Sequence, residues 1–188
     1  MILHGFMIDN VVNVIEGVKN NVDVEILLKW ADPLGDFPEL KNIWMVDEEN
    51  YSALYETVLI DLPIGVYFWK LIGDYSADVA DVMKEYRPEK IKNLLKKIWI
   101  TELFNYVHEH LNSTSQEILS NILKFESDCQ TIQIIYNTLG NKQLSGKAGQ
   151  AEWAKYINNI GYLMPDRAAK LAEAEDFRKL KDAVAPYS

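Results

Sequence analysis

Asp78, Asp81 and Glu85 recur at i, i+3 and i+7, a spacing that places three carboxylates on one helical face. Clustered carboxylates on helices hold magnesium or calcium, so the chemistry such a face would serve is that of an all-helical metal-dependent enzyme. A complete site needs a second acidic motif opposite the first. None stands out, and the face reads as solvated acidic surface. His108-Glu109-His110 supplies zinc ligands by type. Residues at i and i+2 point to different sides of a helix, however, and the helical zinc pattern sets its histidines four apart with a Glu beside the first. These two histidines read as surface groups near a helix C-terminus, where partial positive charge is favourable. His4 has no partner at ligand spacing.

Cys129 lies on an apolar stripe, and nothing in the sequence nominates a base to activate it, so it reads as a small core residue. The segment Gly140–Gly149 contains Lys147 and several glycines, but it departs from the phosphate-loop pattern and follows no strand. It reads as a mobile loop. No catalytic residue, bound cofactor or metal is expected. The polar residues inside apolar helices raise a different question. Asp9 and Asn10, Glu56 and Asp61, and Glu126 and Asp128 all interrupt apolar runs. Each either faces water or is a partly buried group bonded to a neighbouring helix, because a buried charge must be paired. In the second case these residues fix helix register.

The elements that must position these groups are helical almost throughout. Phe6, Val11, Val14, Ile15 and Val18 fall mainly on one stripe between Gly5 and Asn20. Asn20-Asn21 interrupts that helix, Asp23 caps a short one to about Trp30, and Asp32-Pro33-Leu34-Gly35 forms a turn. Residues 36–46 read as loop with at most one helical turn. Asp47 is the expected cap of a helix reaching Ile60 and stopping at Leu62-Pro63, followed by short helices over Val66–Ile72 and Ala77–Tyr86. Pro88 opens a helix to about Leu111 that buries Ile91, Leu94, Leu95, Ile98, Leu103, Phe104 and Val107. Ser113 and Gln116 form a capping-box pair for the longest helix, about 114–139, with Ile118, Ile122, Phe125, Cys129, Ile132 and Ile135 inward. Three short helices follow, near 150–160, 166–173 and 175–185. No segment alternates long enough to make a strand. The fold class is all-α.

At 188 residues the chain suffices for one sizeable core or two small packed lobes. Its 48 % hydrophobic and 25 % charged residues exclude disorder. The most apolar region, Tyr51 to Ile72, is broken by Glu56, Asp61, Pro63 and Lys70, so no membrane span is expected. Met1-Ile2-Leu3-His4 lacks the basic start of a signal peptide, and a single cysteine fits a reducing compartment, so the cytosol is expected. The first hydrophobic helix begins almost at Met1 without a capping sequence, the mark of a fragment. A formal net charge of −9 repels nucleic-acid phosphates. The densest basic cluster, Lys90, Lys92, Lys96 and Lys97, reads as a solvated helix face.

Several of these segments resemble the subunit d family of vacuolar-type proton ATPases. Gly5-Phe6-Met7-Ile8-Asp9-Asn10-Val11 resembles the family's "YMIDN" helix start, and Asp32-Pro33-Leu34-Gly35 with Phe37 its "HPLG-x-F" turn. Leu54-Tyr55-Glu56-Thr57-Val58-Leu59-Ile60-Asp61-Leu62-Pro63, continuing to Tyr67-Phe68, is similar to "LYETVLVDTPLAPYF". Phe125-Glu126-Ser127-Asp128 is similar to "FEAD". Gly161-Tyr162-Leu163-Met164-Pro165 and the run from Ala172 to Asp176-Phe177 resemble "G-x-LYP…LA-x-AEDF". The matches are colinear. Departures are Asp32 for the family's histidine, Leu62 for threonine, Ile64-Gly65 for Leu-Ala, and Cys129-Gln130 for an arginine pair after "FEAD". If those arginines pair with carboxylates in the family, that last change leaves Asp128 needing another partner.

The resemblance implies packed helical lobes of a funnel-shaped, three-lobed protein related to the C-type stalk component of archaeal rotary ATPases, with 1–188 a single helical region from its middle half. It implies a non-catalytic coupling role between central-stalk rotation and the proteolipid ring during proton transport. The implied partners are the ring and the central-stalk subunits, with no nucleic acid. The membrane is met only through the complex, on the cytoplasmic face of vacuolar or other endomembranes. Met7, Ile8, Asp9, Asn10, Pro33, Leu34, Gly35, Tyr55, Glu56, Thr57, Asp61, Pro63, Phe125, Glu126, Asp128 and Asp176 carry the motifs, as structural or interface residues. The alternatives are a generic all-helical cytosolic adaptor and a metal-dependent enzyme using Asp78, Asp81 and Glu85.

Overall fold

The computed structural model describes residues 1–45, 62–75, 87–139, 141 and 146–185. Among these residues every regular element is helical and there is no strand. The helices are α1 (His4–Lys19), α2 (Val24–Trp30), α3 (Gly65–Tyr75), α4 (Pro88–His110), α5 (Ser113–Thr138), α6 (Gly146–Trp153), α7 (Ala168–Leu171) and α8 (Phe177–Val184), with 3-10 segments at Pro33–Gly35 and Pro38–Met45. The expected helices opening at Asp47 and covering Ala77–Tyr86 lie outside the described residues, as do Asp78, Asp81 and Glu85. The chain forms two compact units, Met1–Trp99 and Ile100–Ser188, and the boundary falls within α4.

In the first unit α1 packs against α2 and both 3-10 segments. Its buried large apolar side chains are Ile8, Val11, Val12 and Val14, and Phe37 and Leu40 from the second 3-10 segment and its approach are also buried. Tyr67, Phe68 and Leu71 of α3, with Ile91, Leu94, Leu95 and Trp99 of α4, complete the apolar interior. Burying a side chain of this size contributes about 1.5–3 kcal/mol, the scale against which polar contacts are weighed. The interruption expected at Asn20-Asn21 is real. Val22 N–H donates to Gly17 C=O at 2.9 Å and Asn21 takes φ 57°, the left-handed conformation asparagine tolerates at a helix end. Asp23 caps α2 by accepting from Glu25 N–H at 2.8 Å. Of residues 36–46, expected as loop, Pro38–Met45 form the second 3-10 segment.

In the second unit α5 packs against α6 and α8. Its N-cap is Asn112, one residue earlier than expected, and the Asn112 carboxamide accepts from Ser115 N–H at 3.0 Å. Gln116 does not close a box with Ser113. Its side chain reaches back to the carbonyls of His108 and Leu111, at 2.9 and 2.8 Å, satisfying acceptors left open at the end of α4. The inward stripe expected for α5 is reversed. Ser120, Leu123, Ser127, Thr131 and Ile134 are buried, whereas Ile118, Ile122, Phe125 and Cys129 are exposed and Ile132 is half-buried; Ile135 alone of that set is buried. Small hydroxyl residues on the buried face let the helix sit close against backbone. The segment expected as a loop at 140–149 gives way to α6 at Gly146.

Candidate functional site

The polar motif residues converge on two places, one in each unit, and in both a side chain grips main chain. In the first, Asn10 on α1 is buried and uses both halves of its carboxamide on one residue. Nδ2 donates to the Asp32 carbonyl at 2.9 Å, and Oδ1 accepts from Asp32 N–H at 2.8 Å. Asp32 Oδ1 accepts from Leu34 N–H at 2.8 Å and so caps the Pro33–Gly35 turn. Gly35 is buried against α1. A Cβ there would meet the Phe6 carbonyl carbon and oxygen at 2.5 Å and Asn10 Nδ2 at 2.8 Å, so only glycine fits. The two motifs that are 22 residues apart thus form one joint.

Asp9, next to Asn10, faces α4. Lys96 Nζ donates to Asp9 Oδ2 at 2.8 Å, and Lys92 Nζ forms an ion pair with Oδ1 at 2.8 Å. The basic run on α4 is therefore not a freely solvated face: two of its four lysines bind α1. All three side chains keep some exposure, so each pair contributes at most about 1 kcal/mol. Ile8 is fully buried, Met7 half-buried, and Leu34 and Pro63 are exposed. Tyr55, Glu56, Thr57 and Asp61 lie outside the described residues.

In the second unit Asp128 on α5 is buried, and its partners are the backbone N–H groups of Tyr162 and Leu163, each donating to one carboxylate oxygen at 3.0 Å. Two charge-assisted bonds to consecutive amides balance the buried charge. A Cβ at Gly161 would fall inside the Asp128 carboxylate, so glycine is required directly before the gripped pair. Around this grip, Ser127 Oγ donates to Asn158 Oδ1, which also accepts from Ile160 N–H at 3.2 Å. Tyr162 O–H donates to Asn121 Oδ1 at 2.6 Å, and Lys124 Nζ stands 5.2 Å from the Tyr162 ring centroid. Glu126 is half-buried and Phe125 points outward. Asp176 caps α8 by accepting from Lys179 N–H at 2.8 Å. Sequence reading missed Asn112, Asn121 and Asn158, and it picked out Gly161–Leu163 as a motif without its pairing to Asp128, because the partner of a side chain that binds main chain leaves no mark in its own residue type.

The chemistry-bearing residues go elsewhere. Among the described residues no group of three or more His, Cys, Asp or Glu could hold a metal ion. His108 and His110 each direct Nδ1 at their own i−4 carbonyl, at 2.9 and 3.3 Å, and stack on Phe104 and Tyr106. Cys129 is exposed rather than a core residue. Partial desolvation, then the Glu126 and Asp128 carboxylates, push its thiol above the ordinary value, which makes it a weak nucleophile near neutrality.

The chain belongs to the ATP synthase (C/AC39) subunit family, whose model matches residues 1–188. It is 32 % identical over 187 residues to a V-type proton ATPase subunit d of Dictyostelium discoideum, covering 100 % of this chain and 49 % of the relative. It is 31 % identical over 184 residues to V-type proton ATPase subunit d of Saccharomyces cerevisiae, covering 98 % and 50 %. To V-type proton ATPase subunit d2 of Arabidopsis thaliana it is 28 % identical over 186 residues, covering 99 % and 49 %. The chain spans about half the length of these relatives.

Proposed function

We propose that this chain is a non-catalytic part of a vacuolar-type proton-pumping ATPase, acting in the membrane sector to couple central-stalk rotation to the proteolipid ring. The observation that carries the reading is the colinear match across the whole chain to relatives named V-type proton ATPase subunit d. The local chemistry agrees with it. Asn10, Asp32, Gly35, Asp128 and Gly161 act as joints between helices and turns, and a part that passes torque needs joints that resist shear. Its partners would be the ring and the stalk subunits, met on the cytoplasmic face of an endomembrane. No described helix is long and apolar enough to cross a membrane, so attachment would be peripheral.

The test is affinity purification of the tagged chain from detergent-solubilised membranes of its own cells, with acidification measured after its depletion. Proteolipid and central-stalk subunits should co-purify at a fixed ratio, and proton uptake should fall. A chain recovered free of those subunits, with acidification unchanged on depletion, would sink the reading and leave a generic helical adaptor.

A further inference from the structure

We draw no further inference here: the strongest candidate, the outward apolar face of α5 at Ile118, Ile122, Phe125 and Tyr136, is exposed, and nothing in the structure shows what covers it.

Discussion

Replacing Asn10 by alanine removes both partners of the Asp32 peptide at once and leaves an N–H and a C=O unsatisfied in a partly buried joint. The expected loss is about 1–3 kcal/mol, read from urea unfolding, with Asn10→Asp intermediate because it keeps only the acceptor. Asp128→Asn is the matching test in the second unit. A carboxamide offers one oxygen to two amides, so either Tyr162 or Leu163 N–H loses its acceptor, again for about 1–3 kcal/mol. His4 supplies a pH dependence. It shares a 2.7 Å hydrogen bond with Tyr67, and burial first, then the N-terminal charge, lowers its pKa from 6.5 to about 4. A base with a depressed folded pKa binds fewer protons folded than unfolded. Its contribution is therefore complete above pH 6.5 and is lost as the pH falls toward 4. The midpoint of unfolding should drop over that window, and His4→Gln should flatten the drop; a parent profile already flat there contradicts the assignment.

Among the elements, α5 shows both what the sequence made legible and what it hid. Its existence and length followed from composition and from the breaks around residues 112 and 139. Its orientation did not. The helix carries two stripes half a turn apart, and the more apolar one faces outward. Ser120, Ser127 and Thr131 look like a solvent face, yet small side chains were needed where Asp128 must reach the Tyr162–Leu163 backbone. Hydrophobicity ranks stripes by transfer energy and is blind to closeness of approach. The start of α5 failed for a related reason: Asn112 and Ser113 are both good caps, and only geometry chooses between them. Asn112→Ala should cost about 1 kcal/mol in thermal or urea unfolding, whereas Ser113→Ala should stay within about 0.5 kcal/mol. Equal effects would restore the capping box. By contrast, Asp23, the Asn20-Asn21 break, the Asp32–Gly35 turn and most of the buried positions of α4 were readable, because each depends on local chemistry or a single stripe.

For the molecule as a whole, two compact units mean that damage should stay local. Hydrogen exchange of Asn10→Ala should lose protection mainly before residue 99, and that of Asp128→Asn mainly after residue 100, with a uniform loss across both contradicting the division. If the chain serves a proton pump as proposed, it should leave membranes in an alkaline carbonate wash, since no described helix offers a span. Retention in the washed bilayer would contradict the peripheral reading.

The Asn10 joint has a consequence for inheritance. Its grip is on the N–H and C=O of position 32, groups that almost every amino acid possesses, so the two Asn10 bonds make no demand on the side chain there, and only the cap on Leu34 N–H does. In a library randomised at positions 10, 32 and 35, survivors should be nearly uniform at 10 and 35 and, at 32, spread over the short side chains that can cap a turn, with proline, which has no N–H to give, missing.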